Sequence, residues 1–182
     1  FKENETYTKL RGGYYTSPVV ATFLSRWVLQ NGAKNVLEPS CGDGVFISAA
    51  SSIRTEGLDL ICVEIDPREA QKARDRVKGV EGLQSEVINT DFLKWALYRL
   101  NQTPIYDGVL GNPPYIRYQY LDKESQALAE LIFRHVHLPF TKHTNAWVPF
   151  VIASIALLRP GGRIGMVVPS EILHILHATS LR

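Results

Sequence analysis

The residues of this sequence whose types and order could do chemistry fall into three clusters. The most informative is Asn112-Pro113-Pro114-Tyr115, a polar turn directly after a hydrophobic run. An exocyclic amine on an aromatic ring is a poor nucleophile, because its lone pair is delocalised into the ring and the nitrogen must pyramidalise before it can attack. Two acceptors on its hydrogens favour that change: the Asn112 side-chain oxygen and the Pro113 main-chain carbonyl. Two prolines stiffen the turn, so both acceptors are in place before reaction. Tyr115 offers a face on which a planar substrate can stack, a contact worth about 1–3 kcal/mol per base. A purely structural turn is the alternative, since Asn-Pro and Pro-Pro are common turn dipeptides.

The second cluster is Glu38-Pro39-Ser40-Cys41-Gly42-Asp43-Gly44. Gly42 and Gly44 permit backbone geometry and close approach that a Cβ would forbid. The full dinucleotide pattern is missing and there is no Walker lysine, so the loop suits a ligand without phosphates, or simply a βα turn. The third cluster is a pair of acids. Glu64 lies roughly 20 residues past the loop, where a carboxylate can accept from both hydroxyls of a ribose. Asp91 in Thr90-Asp91 makes a good helix N-cap and is equally suited to the amino group of an adenine. Phe92 either flanks such a ring or belongs to the core.

These residues need elements to position them. Short β-branched runs alternate with amphipathic stretches, the pattern of βαβ units on a parallel sheet. Ser17-Pro18 opens a helix through Leu29. Strands are expected at Lys34–Glu38, Asp59–Ile65, Leu83–Ile88, Tyr106–Leu110 and Arg163–Val168. Helices are expected at Gly44–Ser52, from Asp66-Pro67 to Lys78, from Thr90-Asp91 to Leu100, over Leu121–Leu138, and from an Asn145 cap to Leu158. Arg159-Pro160-Gly161-Gly162 reads as a tight turn, and Ser170 as the start of a last helix. In doubly wound sheets ligands lie beyond the carboxyl ends of the strands. All three clusters fall at such ends.

Bulk properties narrow the class. The 182 residues fit one domain, 45% of them hydrophobic, with a net charge of +2 too small to announce a nucleic-acid binder by itself. Apolar runs stop short of a membrane span, and no signal peptide opens the chain. The chain begins Phe1-Lys2-Glu3, which reads as a piece of something longer. Cys41 and Cys62 have neither disulfide nor zinc spacing and are read as buried thiols in a reducing, cytoplasmic setting. His135, His137 and His143 are read as a polar loop, and His174 and His177 as solvated surface, so no metal is expected. Arg117-Tyr118-Gln119-Tyr120 alternates aromatics with a charge, fitting either a DNA contact or a helix-entry loop.

In order along the chain, these segments resemble the amino-methyltransferases of restriction–modification systems, in the adenine-N6 group whose cofactor motifs precede the catalytic one. Gly13-Tyr14-Tyr15-Thr16-Ser17-Pro18 resembles the motif at the methionine end of the cofactor. Val36 to Phe46 resembles the glycine loop, Val63-Glu64-Ile65-Asp66-Pro67 the ribose motif, and Thr90-Asp91-Phe92 the adenine motif. Asp107 to Tyr115 resembles the catalytic motif, and Asn145 with Leu158 to Gly162 the tail of such cores.

The resemblance implies an α/β, Rossmann-like class I S-adenosylmethionine-dependent methyltransferase with a doubly wound, mostly parallel sheet, stopping after the fifth strand where the family has seven. Residues 1–182 would form one catalytic domain, the N-terminal part of a longer protein, with the target-recognition domain absent. Asn112, Pro113 and Tyr115 would be catalytic. Tyr15, Thr16, Glu38, Ser40, Cys41, Gly42, Glu64, Ile65, Asp91, Phe92, Asn112 and Pro114 would hold S-adenosylmethionine. The expected partner is double-stranded DNA with its adenine flipped out of the helix. A target-recognition domain, and in some systems a nuclease, would sit in the same or an associated chain. The same turn also serves methyltransferases of RNA bases and of a protein glutamine, and a non-catalytic module keeping the fold is a further alternative.

Overall fold

The computed structural model describes residues 15–141 and 145–170, so Gly13, Tyr14, His143, His174, His177 and the body of a helix from Ser170 lie outside the described residues. Within them the order is α1 (Pro18–Leu29), β1 (Asn35–Glu38), α2 (Val45–Ile53), β2 (Asp59–Glu64), α3 (Pro67–Lys78), β3 (Gln84–Asn89), α4 (Phe92–Arg99), β4 (Tyr106–Gly111), a 3₁₀ turn (Tyr118–Tyr120), α5 (Lys123–His135), α6 (Trp147–Leu157) and β5 (Leu158–Met166).

The five strands pair in the order β3-β2-β1-β4-β5, all parallel. Successive strand residues point to opposite faces. Val36, Leu60, Cys62 and Leu110 enter one core with α1, α2 and α3, while Leu37, Val63 and Val109 enter another with α4, α5 and α6. A sheet covered on both faces needs apolar residues at every position of its central strands, and β4 is buried throughout. Gly108 lets α1 approach: a Cβ there would lie 2.3 Å from Val28 Cγ1. The chain crosses from one face to the other between β1 and β4, which makes this pair the topological switch point.

Caps follow the expected chemistry at four helices. Ser17, Asp66, Asp91 and Asp122 each accept from a first-turn N–H. Three expectations need correction. Asn145 does not cap the apolar helix: it forms an antiparallel bridge with Arg117, Ala146 N–H donates to the Ile116 carbonyl at 2.8 Å, and α6 begins at Trp147 after Ala146 with no side-chain cap. A burial-driven start at Trp147 outweighed the missing cap. Nor is Arg159 to Gly162 a separate turn. Pairing with β4 begins at Tyr106↔Leu158, and the extra residues bulge out before Gly108↔Arg163 resumes the ladder. The stretch from Leu121 to Leu138 is helical only over Lys123–His135.

Candidate functional site

The carboxyl ends of β1, β2 and β4 converge around one loop, Glu38 to Gly44. Gly42 and Gly44 take φ of +53° and +88°, and Gly44 is the left-handed residue from which α2 starts. Nothing lies within 4 Å of a Cβ built on Gly42, so this side of the loop is open. At Gly44 a Cβ would press on Ile47 at 3.0 Å and Arg76 at 3.1 Å. One glycine therefore faces space and the other faces helix.

Glu64 holds the loop from β2. Its Oε2 accepts from Gly42 N–H and its Oε1 from Asp66 N–H, both at 2.8 Å. Burial raises the carboxyl above its ordinary range, and the two backbone N–H groups pull it back only in part. Ile65, the next residue, is 59% exposed beside it. Asn89 and Thr90 close the neighbouring edge: Asn89 Nδ2 and Thr90 N–H both donate to the Glu64 carbonyl. Asp91 caps α4 through Lys94 N–H at 3.0 Å. Phe92 is 2% exposed and packs on Phe150 with centroids 5.1 Å apart. Of its two expected roles, the core is the one this packing fills.

Glu38 is fully buried beneath the loop. Its Oε2 receives the Cys62 thiol at 3.6 Å, while its Oε1 has no hydrogen-bond partner. Burial pushes its carboxyl well up, and burial likewise pushes up the Cys62 thiol. Cys41 is buried nearby, and both cysteines are free thiols, as their spacing suggested.

At the end of β4, the Asn112 turn is fixed from several directions. Ser40 Oγ donates to the Asn112 carbonyl at 3.0 Å. Asn112 Nδ2 donates to Thr16 Oγ1 at 3.0 Å, across 96 residues of sequence. Tyr115 Oη lies 2.5 Å from Asn112 Oδ1 and 2.8 Å from the Val167 carbonyl, so one phenolic proton serves two oxygens. Desolvation pushes that phenol up to about 12, which keeps it neutral at any working pH. Pro113 is buried and Pro114 half-buried. A pocket of about 290 Å³ opens here, walled by Tyr15, Thr16, Asn112, Tyr115 and Val167. A second pocket, about 430 Å³, adjoins the glycine loop and shares Tyr15 and Thr16 with the first.

Arg76 was invisible as a functional residue in the sequence. From α3 its guanidinium donates to the Asp43 carbonyl at 2.5 Å, to the Asp43 carboxylate at 2.6 Å and to Ser48 Oγ at 3.3 Å. It thus braces the loop from outside. One arginine among several basic residues on a charged helix carries no signal of that. The aromatic segment after the turn also divides: Tyr118 is buried with its hydroxyl on Glu130 at 2.6 Å, while Tyr120 is 70% exposed. Among the described residues no His/Cys/Asp/Glu group could hold a metal.

A parallel sheet with its switch point beside a glycine turn, an acid at the end of β2 and an asparagine at the end of β4 is the fold of class I S-adenosylmethionine-dependent methyltransferases. A Listeria monocytogenes protein described in those words shares it at TM-score 0.65 and 16% identity, covering 90% of this chain and 48% of that one. TrmN from Thermus thermophilus shares it at TM-score 0.53 and 22% identity, over 83% and 38%. Residues 39–182 match the Eco57I restriction-modification methylase family, and the chain belongs to that family. The Type II methyltransferase M.AccI of Acinetobacter calcoaceticus is 27% identical over 162 residues, 88% of this chain and 28% of M.AccI. M.TthHB8I of Thermus thermophilus is 32% identical over 142 residues, 74% of this chain and 29% of that protein. The chain therefore spans less than a third of either relative. A tRNA1(Val) (adenine(37)-N6)-methyltransferase of Tolumonas auensis is 25% identical over 152 residues, 81% of this chain and 56% of its own length.

Proposed function

We propose that this chain is the catalytic core of an enzyme that transfers a methyl group from S-adenosylmethionine to the N6 amino group of adenine in double-stranded DNA, within a restriction–modification system. Family membership supports the class. The observation that carries the reaction is the Asn112 amide, braced by Thr16 at the mouth of a pocket with its oxygen turned to Tyr115.

The cofactor's fit is supported by the open face at Gly42, the Glu64 carboxylate and the absence of phosphate-binding lysine chemistry in the loop. S-adenosylmethionine supplies an electrophilic methyl group on a sulfonium. Glu64 would take the ribose hydroxyls on the lone pairs left by Gly42 and Asp66. Ile65 would pack on the adenine ring and Asp91 would accept from its amino group, with Phe92 supporting from the core. Tyr15 and Thr16 would border the methionine end, and Ser40, Cys41, Pro114 and buried Glu38 would shape the floor.

For the substrate, Asn112 Oδ1 and the Pro113 carbonyl would take the two hydrogens of N6 as that nitrogen pyramidalises. Tyr115 must first release Asn112 Oδ1, after which its ring is free to stack on the flipped base. Alignment of the two reactants is the main contribution of the fold. We read residues 1–182 as one catalytic domain in the cytoplasm. Sequence recognition, and a nuclease where one exists, would then fall to other parts of the same or an associated protein. Among the described residues no helix is long and apolar enough to cross a membrane.

Transfer to adenine in RNA is the second reading, favoured by the likeness to the tRNA enzyme. Radiolabelled S-adenosylmethionine offered with duplex DNA, tRNA and a glutamine peptide separates the substrates. Label is expected in DNA, as N6-methyladenine. Asn112→Ala is expected to abolish transfer while calorimetric cofactor binding survives. Undiminished transfer by that variant refutes the assignment, and label in tRNA alone selects the second reading.

A further inference from the structure

We propose that the turn from Arg117 to Tyr120 is a clamp on the DNA strand that carries the target adenine. Arg117 pairs with a backbone phosphate beside the flipped nucleotide, and Tyr120 stacks on the neighbouring base. The proposal deepens the reading of duplex DNA as the substrate and rests on it.

By sequence, Arg117-Tyr118-Gln119-Tyr120 fits both a DNA contact and a helix-entry loop. The structure divides those roles between its residues. Tyr118 is buried: its hydroxyl donates to Glu130 at 2.6 Å, and its ring packs on Phe140 with centroids 5.2 Å apart. Gln126 Nε2 donates to the Tyr118 carbonyl at 3.1 Å and to the Leu121 carbonyl at 3.0 Å. On the other side, Ala146 N–H donates to the Ile116 carbonyl at 2.8 Å and Asn145 bridges to Arg117 through the backbone. These contacts build the helix entry, and none of them uses the side chain of Arg117 or Tyr120. Both side chains stay outside, with Tyr120 70% exposed.

Tyr120 N–H donates to the Arg117 carbonyl at 2.9 Å, which closes a turn and keeps their Cα atoms within about 7 Å of each other. A guanidinium and an aromatic face thus stand together on a backbone tied at both ends. Elsewhere Arg76, Arg159 and Arg163 are each engaged by a carboxylate or a carbonyl. Among the described residues the Arg117 guanidinium and the Tyr120 ring have no hydrogen bond, ion pair or ring contact. A cation and a ring held in place but unused add little to the fold, and their prior ordering lowers the cost of binding a ligand.

A nucleic-acid strand uses both groups at once. Arginine matches phosphate oxygens with paired N–H donors, and an aromatic face takes any base. Position selects the strand. Arg117 is two residues past Tyr115, so their Cα atoms lie within about 7 Å, and Tyr115 walls the pocket proposed for the adenine. Flipping rotates one nucleotide about its backbone and leaves a face of the neighbouring base unstacked. Arg117 beside the pocket, and Tyr120 one turn farther, meet those two needs in that order.

The test uses the full chain and a duplex with 2-aminopurine, whose fluorescence is quenched by stacking, next to the target adenine. Arg117→Gln is expected to weaken DNA binding about tenfold and to lower the slope of log affinity against log salt by about one. Arg117→Lys should keep that slope. Tyr120→Ala is expected to weaken binding about tenfold, to leave the slope alone and to brighten the 2-aminopurine, while Tyr120→Phe behaves as the parent. All four should match the parent in Tm and in affinity for S-adenosylmethionine. An unchanged slope in Arg117→Gln overturns the phosphate contact, and unchanged fluorescence in Tyr120→Ala overturns the stack. A lowered Tm with full DNA affinity per folded molecule also overturns the proposal, by leaving the segment a helix entry alone. If the parent methylates duplex DNA and the variants match it, only the clamp has failed. If the parent methylates tRNA and not DNA, the substrate reading has failed and the clamp falls with it.

Discussion

Two carboxylates are buried at opposite ends of the central strands, and their surroundings could hardly differ more. Asp107, at the amino end of β4, accepts from Lys34 N–H at 2.6 Å and Asn35 N–H at 2.9 Å, and pairs with the Arg159 guanidinium. Glu38, at the carboxyl end of β1, has one long contact from a thiol and one oxygen with no hydrogen-bond partner. The first acid ties β4 to the start of β1 and anchors the bulge of β5 through Arg159. The second lies buried under the glycine loop, where desolvation raises its carboxyl well above the usual range. Asp107 is held by two backbone N–H groups and an arginine at the end of the sheet away from the proposed chemistry, whereas the unpartnered Glu38 oxygen lies at the end where that chemistry would occur.

That contrast can be broken by substitution. Asp107→Ala should have the largest effect, because two backbone N–H groups and an arginine lose their partner together. A loss of about 3 kcal/mol in urea denaturation is expected, with cofactor affinity per folded molecule unchanged. A loss below about 1 kcal/mol would show that water replaces the carboxylate and that the amino end is no better satisfied than the carboxyl end.

Glu64→Gln comes next. One of the two loop N–H groups would face an amide NH₂ in place of an oxygen. Affinity for S-adenosylmethionine should fall about tenfold, or about 1.4 kcal/mol, in calorimetric titration, with little change in unfolding. Unaltered affinity would remove Glu64 from the proposed site and leave it as a loop brace.

Glu38→Gln sharpens the comparison with the smallest shift. Burial raises the folded-state carboxyl well above its ordinary 4.5. The stability associated with that neutral acid is fully present below its unfolded value and declines as pH rises toward the folded one. Parent Tm should therefore fall with pH from about 4.5 upward, and Glu38→Gln should flatten the fall and gain a few degrees at pH 8. Equal slopes in both proteins would mean that Glu38 is not carried neutral into the fold.

Much of this molecule was legible locally. Ser17-Pro18, Asp66-Pro67 and Thr90-Asp91 mark helix starts because a cap acts within three residues. The β-branched runs mark strands because a buried strand needs apolar residues on both faces. The glycine loop, Glu64, Asp91 and Asn112 stand out in the sequence as candidates because each lies at or just past the end of a strand, and strand ends in such a sheet converge. The misreadings occurred where distant partners intervened. Asn145 has the right side chain for a cap, yet its backbone bridges to Arg117. The Arg159–Gly162 segment has the composition of a turn, yet its flanks pair with β4.

The order of elements, the parallel sheet and the position of the Asn112 turn just past the end of β4 were thus determined by sequence alone, since propensity, periodicity and punctuation act over a few residues. Tertiary structure alone decided what those groups do to one another. It brought Arg76 to Asp43, set Tyr115 between Asn112 and the Val167 carbonyl, and joined Thr16 to Asn112. Such contacts depend on the order in which strands lie side by side, and no local pattern of residues encodes a hydrogen bond that closes across 96 positions.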